Sequence, residues 1–151
     1  MMNSNDISPD PSPPTYLEII VEAKCNPTET KNTIQKILNK FLDGPIIEDH
    51  RSDGFFLVKR ASNISSLQLI GDWIREQKLL DTVRSRLFRS ILNNITAIYF
   101  NKQAAMMNKL SLIDFDDKPP NGPISFQLVS DNLNYVIDIL SPKTFKGKEI
   151  S

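Results

Sequence analysis

Chemistry in this chain would have to come from its cations. Between Trp73 and Arg89, the side chains of Arg75, Lys78, Arg84, Arg86 and Arg89 outnumber Glu76 and Asp81. A guanidinium is planar and multidentate and matches phosphate oxygens well, so such a surface points to phosphate contact. A second group, Asn101-Lys102-Gln103, directly follows an apolar run. Amides and an ammonium at a strand end can read unpaired bases or phosphates. Each group also has a plainer account. Charged helix faces are usually solvated and carry local ion pairs, here Asp81 with Arg84. Asn and Gln beyond a strand also serve turns and helix starts.

Other chemistries find little support. His50 is the only histidine and Cys25 the only cysteine. That leaves too few ligands for a zinc site, and a lone cysteine on a strand face usually belongs to the core. Asp114, Asp116 and Asp117 could hold a divalent cation, but loop solvation accounts for them better. There is no glycine-rich phosphate loop, nucleophile elbow or kinase-like motif. The expectation is a non-catalytic protein without cofactor or metal. Tyr99 and Phe100 share a strand and must face opposite sides, so one of them could offer a stacking surface. The stacking motif of the common four-stranded RNA-binding sheets is absent.

Composition sets the frame. The chain has 151 residues, 40% of them hydrophobic and 24% charged, as globular domains do. Formal net charge is zero and the pI is about 6.6. Any nucleic-acid contact must therefore come from a local patch rather than from bulk charge. Apolar runs fall well short of a bilayer span, and no basic-then-apolar leader opens the chain. A single cysteine suits a reducing compartment, so the cytosol is the expected location, with no membrane partner.

The elements that would position these residues follow from periodicity. Residues 1–14 read as a disordered proline-rich tail. Residues 15–144 read as a single domain, and residues 145–151 as a polar C-terminal tail. Tyr16 to Cys25 alternates as a strand with Leu17, Ile19, Val21, Ala23 and Cys25 on one face. Asn26 and Pro27 suit the start of a helix carrying Ile34, Ile37, Leu38 and Phe41, closed by Gly44-Pro45. Two strands follow, Ile46 to Arg51 and Phe55 to Ala61, joined through Asp53-Gly54. Asn63 or Ser65 would cap the next helix, and a close helix–sheet contact would explain Gly71 inside it. Near Lys78 the apolar stripe jumps from Ile70 and Ile74 to Leu80, Val83, Leu87 and Ile91, which predicts a break between two helices. Thr96 to Phe100, Leu110 to Phe115 and Ile124 to Leu128 read as strands, with one helical turn of Gln-Ala-Ala-Met-Met between the first two. A last helix, capped by Ser130 or Asp131, carries Leu133, Val136, Ile137 and Leu140. The order β-α-β-β-α-α-β-β-β-α predicts an α+β fold: a largely antiparallel curved sheet with helices on one face.

Five stretches carry a family resemblance that covers Leu17 to Thr144. They are Val21 to Glu29, Arg75 to Asp81 with Arg84, Tyr99 to Ala105, Gly122 to Ile124, and Leu140 to Thr144. Together they are fairly specific, and the chain resembles an archaeal family of uncharacterised proteins described as RNA-binding. That resemblance implies a fold like the large-subunit ribosomal protein that binds 5S rRNA, an archaeal cytosolic origin, and RNA, in particular ribosomal RNA, as partner. It supplies no catalytic residues. The leading expectation is a non-catalytic RNA-binding domain in which the helices spanning Arg75 to Arg89 contact phosphates while Asn101, Lys102 and Gln103 add polar recognition. The alternative is a protein-interaction or homodimerisation module using a strand edge or the exposed sheet face at Tyr16 and Ile20.

Overall fold

Period-2 alternation in the strands builds one sheet with a single covered face. The structure, a computed structural model, describes residues 11–114, 116–117, 119–146 and 148–149. Strands β1 (Leu17–Lys24), β2 (Ile47–Arg51), β3 (Gly54–Ala61), β4 (Ile95–Asn101), β5 (Leu112–Ile113) and β6 (Pro123–Ser130) form a six-stranded sheet in the order β2-β3-β1-β6-β4-β5. Every pairing in it is antiparallel. Helices α1 (Lys31–Leu38), α2 (Gln68–Glu76), α3 (Leu80–Arg89), α4 (Lys102–Met106) and α5 (Leu133–Leu140) complete the domain. Thr144–Phe145 (β7) and Lys148–Glu149 (β8) pair as a small separate hairpin where a plain polar tail was expected.

All the described helices pack on one face. Leu17, Ile19, Val21, Ala23, Leu57, Ile98, Phe100, Ile124, Phe126 and Leu128 merge with Ile34, Ile37, Leu38, Ile70, Ile74, Val83, Leu87, Val136 and Ile137 into one core. Phe41 lies at its centre, with ring centroids 5.2 Å from Trp73 and 5.4 Å from Phe100. Phe100 is therefore core, and Tyr99 points to the opposite, helix-free face.

That open face has two halves. On β1, β3 and β2 it carries an ion-pair lattice: Arg51 grips Glu22 at 2.7 Å and Asp49 at 2.9 Å, and Arg60 meets Glu18 at 3.1 Å. Val58 and Ile20 are buried beneath these charges. On β6 and β4 the register places Ile95 opposite Val129, Ala97 opposite Gln127 and Tyr99 opposite Ser125, with no charged side chain among them.

Several helix ends differ from the sequence expectation. Helix α1 begins at Lys31 behind a Thr30 cap, not at Asn26, because Asn26 is occupied: its backbone N–H and its side-chain amide both donate to the Glu29 carboxylate, at 3.0 and 2.7 Å. The helix also stops at Leu38, well before Gly44-Pro45, although Phe41 and Leu42 beyond it remain buried. A 3-10 turn over Ile64–Leu67 precedes α2, with Asn63 before it making no side-chain cap. Asn132, not Ser130 or Asp131, caps α5 by accepting from the Tyr135 N–H. Asp131 is instead engaged by the Thr15 backbone at 2.9 Å. Gly71 answers to a helix rather than the sheet: a Cβ there would lie 3.4 Å from the Leu140 carbonyl oxygen of α5. Strand β5 is a two-residue stub; Phe115, its expected end, lies outside the described residues, as do residues 1–10 of the N-terminal tail.

Candidate nucleic-acid interface

The break between α2 and α3 falls at Lys78, as the shifted apolar stripe requires. Lys78 adopts φ 59°, and the Leu79 N–H reaches back to the Ile74 carbonyl while the Lys78 N–H bonds that of Arg75, both at 3.0 Å. This is the Schellman closure, at whose left-handed residue glycine is the usual occupant. A lysine there accepts a conformational cost of about 1 kcal/mol. Its exposed side chain lines a groove of about 550 Å³ together with Arg75, Leu80, Asp81, Thr144, Lys148 and Glu149. The β7–β8 hairpin forms the far wall. Thr144 Oγ1 donates to Asp81 at 2.6 Å, and Arg75 pairs with Glu149 at 3.0 Å and with Asp72 at 3.7 Å. Three cations thus face two anions, and among the described residues Lys78 and Lys148 have no carboxylate within ion-pair distance.

The other arginines of this stretch face elsewhere. Arg84 turns to α5, where it meets Asp138 at 2.6 Å, donates to the Ser141 carbonyl at 3.2 Å and covers the Phe88 ring. Its side chain is only 15% exposed, so it joins helices rather than waits for a ligand. Arg86 ties α3 to β5 through Asp114 at 3.1 Å and the Ile113 carbonyl at 3.3 Å. Arg89 is exposed at a hollow of about 350 Å³ beside Arg86, Tyr99, Asp114 and Asp116. The break therefore divides the five cations among three places: the groove, the α3–α5 seam and the β4–β5 edge.

Asn101, Lys102 and Gln103 also part ways. Asn101 caps α4 by accepting from the Ala104 N–H at 2.8 Å. Gln103 is exposed on the first turn of that helix. Lys102 is the correction. Its side chain is 0% exposed and cannot serve a surface, because its ammonium is consumed internally. It donates to the Lys24 carbonyl at 2.7 Å, to the Asn121 carbonyl at 2.6 Å and to Glu29 at 3.1 Å. Burial pushes the Lys102 ammonium below its ordinary value while Glu29 opposes the shift. Burial would raise the Glu29 carboxyl, but hydrogen bonds from Asn26 and Lys102 outweigh it and hold the group below the usual range.

Sequence reasoning missed Lys148, whose only signal was a positive charge in a stretch read as tail. It also missed Glu29 as the partner of Lys102. That pairing spans most of the chain and leaves no local pattern. No group of three or more metal-ligating side chains occurs among the described residues, and no helix there is long and apolar enough to cross a membrane.

The chain is also similar to known proteins. A family model described as RNA binding matches residues 18–129. A UPF0201 protein of Sulfolobus acidocaldarius is 34% identical over 130 residues, spanning 85% of this chain and 90% of the relative. One from Sulfurisphaera tokodaii is 31% identical over 132 residues, spanning 86% and 90%. The crystal structure of the UPF0201 protein from Methanococcus jannaschii shares the fold, with a TM-score of 0.72 at 24% identity, over 89% of this chain and 99% of that one.

Proposed function

The chain belongs to the archaeal UPF0201 family, and from that premise we propose that it binds RNA without catalysing a reaction, using the groove between the α2–α3 junction and the β7–β8 hairpin. One observation carries this reading. Lys78, in a conformation that glycine would adopt more cheaply, presents an unpaired ammonium at the mouth of a groove that also holds Arg75 and Lys148. A cation kept at a conformational cost, with no carboxylate within ion-pair distance among the described residues, suits an external phosphate. Arg89, exposed at the sheet edge, adds a second and weaker contact. Arg84 and Arg86 act through the fold, by holding α5 and β5.

The test is fluorescence-anisotropy binding of the full chain to 5S rRNA and to an unrelated structured RNA across a salt series. The three groove cations together with Arg89 predict a log–log slope of about −2.8 to −3.6. No binding at low salt would overturn the reading. Equal affinity for both RNAs would mark recognition of the backbone alone.

A further inference from the structure

We propose that the paired hollows where β4 meets β5 bind one unpaired ribonucleotide, whose base stacks on Tyr99 and whose phosphate meets Arg89. Tyr99 stands half-buried on the helix-free face with small neighbours, Ala97 two residues along β4 and Ser125 opposite it on β6. Two hollows adjoin there, of about 350 and 310 Å³, and Tyr99, Ile113 and Asp114 line both. Each has the volume of a small-ligand site. Strand β5 pairs only with Tyr99 and Phe100, so it stops short of Ala97, which shares the first hollow with Arg89 and Ser90.

The two hollows differ in chemistry, and the difference matches the two ends of a nucleotide. The second is walled by Tyr99, Ile113, Pro119, Gly122 and Pro123, and among the described residues its charges are Asp114 and Asp117 alone. An aromatic ring among apolar walls suits a base, and a carboxylate can accept from a base amino group or ring N–H. The first hollow holds the cations, Arg86 and Arg89, from the last turn of α3. Arg86 neutralises Asp114 at 3.1 Å. Arg89 is exposed and, among the described residues, has no carboxylate within ion-pair distance. Asp116 lines the same hollow and opposes an anion, so the site suits a single phosphate beside a base and not a run of phosphates. The base must be unpaired, because inside a duplex its faces are already stacked. This inference deepens the RNA-binding reading at its second contact, Arg89, and makes no use of the α2–α3 groove.

Fluorescence anisotropy of the full chain with a labelled single-stranded RNA hexamer and with a blunt-ended RNA duplex, across a salt series, tests it. Tyr99→Leu keeps apolar bulk and removes the ring. It should weaken hexamer binding by roughly tenfold and leave duplex binding unchanged, while Tyr99→Phe should bind as the wild type does. Arg89→Ala should weaken the hexamer and lower its log–log slope by about 0.7, and Asp116→Asn should tighten it. Adenosine monophosphate separates two sources of the same chemistry. Displacement of the hexamer at millimolar concentration assigns the site to free nucleotides as well as strands, and no displacement assigns it to strands alone. Absence of hexamer binding would overturn the proposal, with the duplex then reporting on the groove by itself. So would hexamer binding that Tyr99→Leu and Arg89→Ala leave unchanged, or a Tyr99→Leu loss that the duplex shares equally.

Discussion

Two clusters gather the stretches that carry the family resemblance, and they differ in what their polar atoms do. At Lys102, the turn at Asn26 to Glu29, the start of α4 and the loop ahead of β6 converge on one ammonium. At the start of α3, Arg75 to Arg84 meets Ser141 to Thr144: Ser141 Oγ donates to the Leu80 carbonyl at 2.6 Å, and Thr144 to Asp81. The first cluster is closed, and no buried side-chain nitrogen or oxygen among the described residues lacks a partner. The second is closed on its inner side and open on its outer side, where Lys78 and Lys148 face the groove. Residues with the same apparent chemistry therefore separate by satisfaction. A cation whose hydrogen bonds are all spent inside holds the fold, and one left at a groove mouth is available to a ligand.

The sharpest way to break this comparison is Lys102→Ala. Removing the ammonium strands Glu29 and two main-chain carbonyls in the interior, and should cost about 3–5 kcal/mol in urea unfolding. If that variant stayed stable and instead lost RNA affinity, the assignment of the two clusters would be reversed. The same cluster predicts acid sensitivity. The folded pKa of Glu29 lies below its unfolded value, so its contribution is fully present above the unfolded pKa and is lost as pH falls through the folded one. Unfolding midpoints across the carboxylate range should show the loss, and Glu29→Gln should flatten it.

Arg84→Ala should come next, at about 1.5–3 kcal/mol of stability for a largely buried charge-assisted contact, with the RNA salt slope unchanged because the residue faces α5. The double variant Lys78→Ala, Lys148→Ala should do the opposite. Thermal unfolding should shift by no more than about 0.5 kcal/mol, while the salt slope should lose about 1.4–1.8 as two phosphate contacts disappear. A slope that instead responds to Arg89→Ala alone would move the interface to the β4–β5 edge.

Much of the fold was legible because periodicity records it. The alternation through Leu17 to Cys25 and the stripe jump at Lys78 are local patterns, and both appear in the structure. Helix starts were harder to read. Asn26 has cap chemistry, but a long-range demand from Lys102 on Glu29 recruits it into a turn, and Thr30 caps α1 instead. The candidate site was legible as a set of cations and not as a surface. Arg75, Lys78, Arg86 and Arg89 would share an arc only on an unbroken helix, with Arg84 on its other side. The left-handed turn at Lys78 re-aims α3, and the carboxylates that neutralise Arg84 and Arg86 come from Asp138 and Asp114, far along the chain.

Lys78→Gly tests the central claim most directly, because fold and function should move in opposite directions. Glycine relieves the left-handed strain and should raise stability by up to about 1 kcal/mol. Removing the ammonium should weaken binding to structured RNA and lower its salt slope by about 0.7–0.9. Chemical denaturation and anisotropy on one preparation give both values. A more stable protein that binds RNA less well is the predicted result. A more stable protein with unchanged affinity and slope would contradict the account, and would remove the α2–α3 groove as the site of phosphate contact.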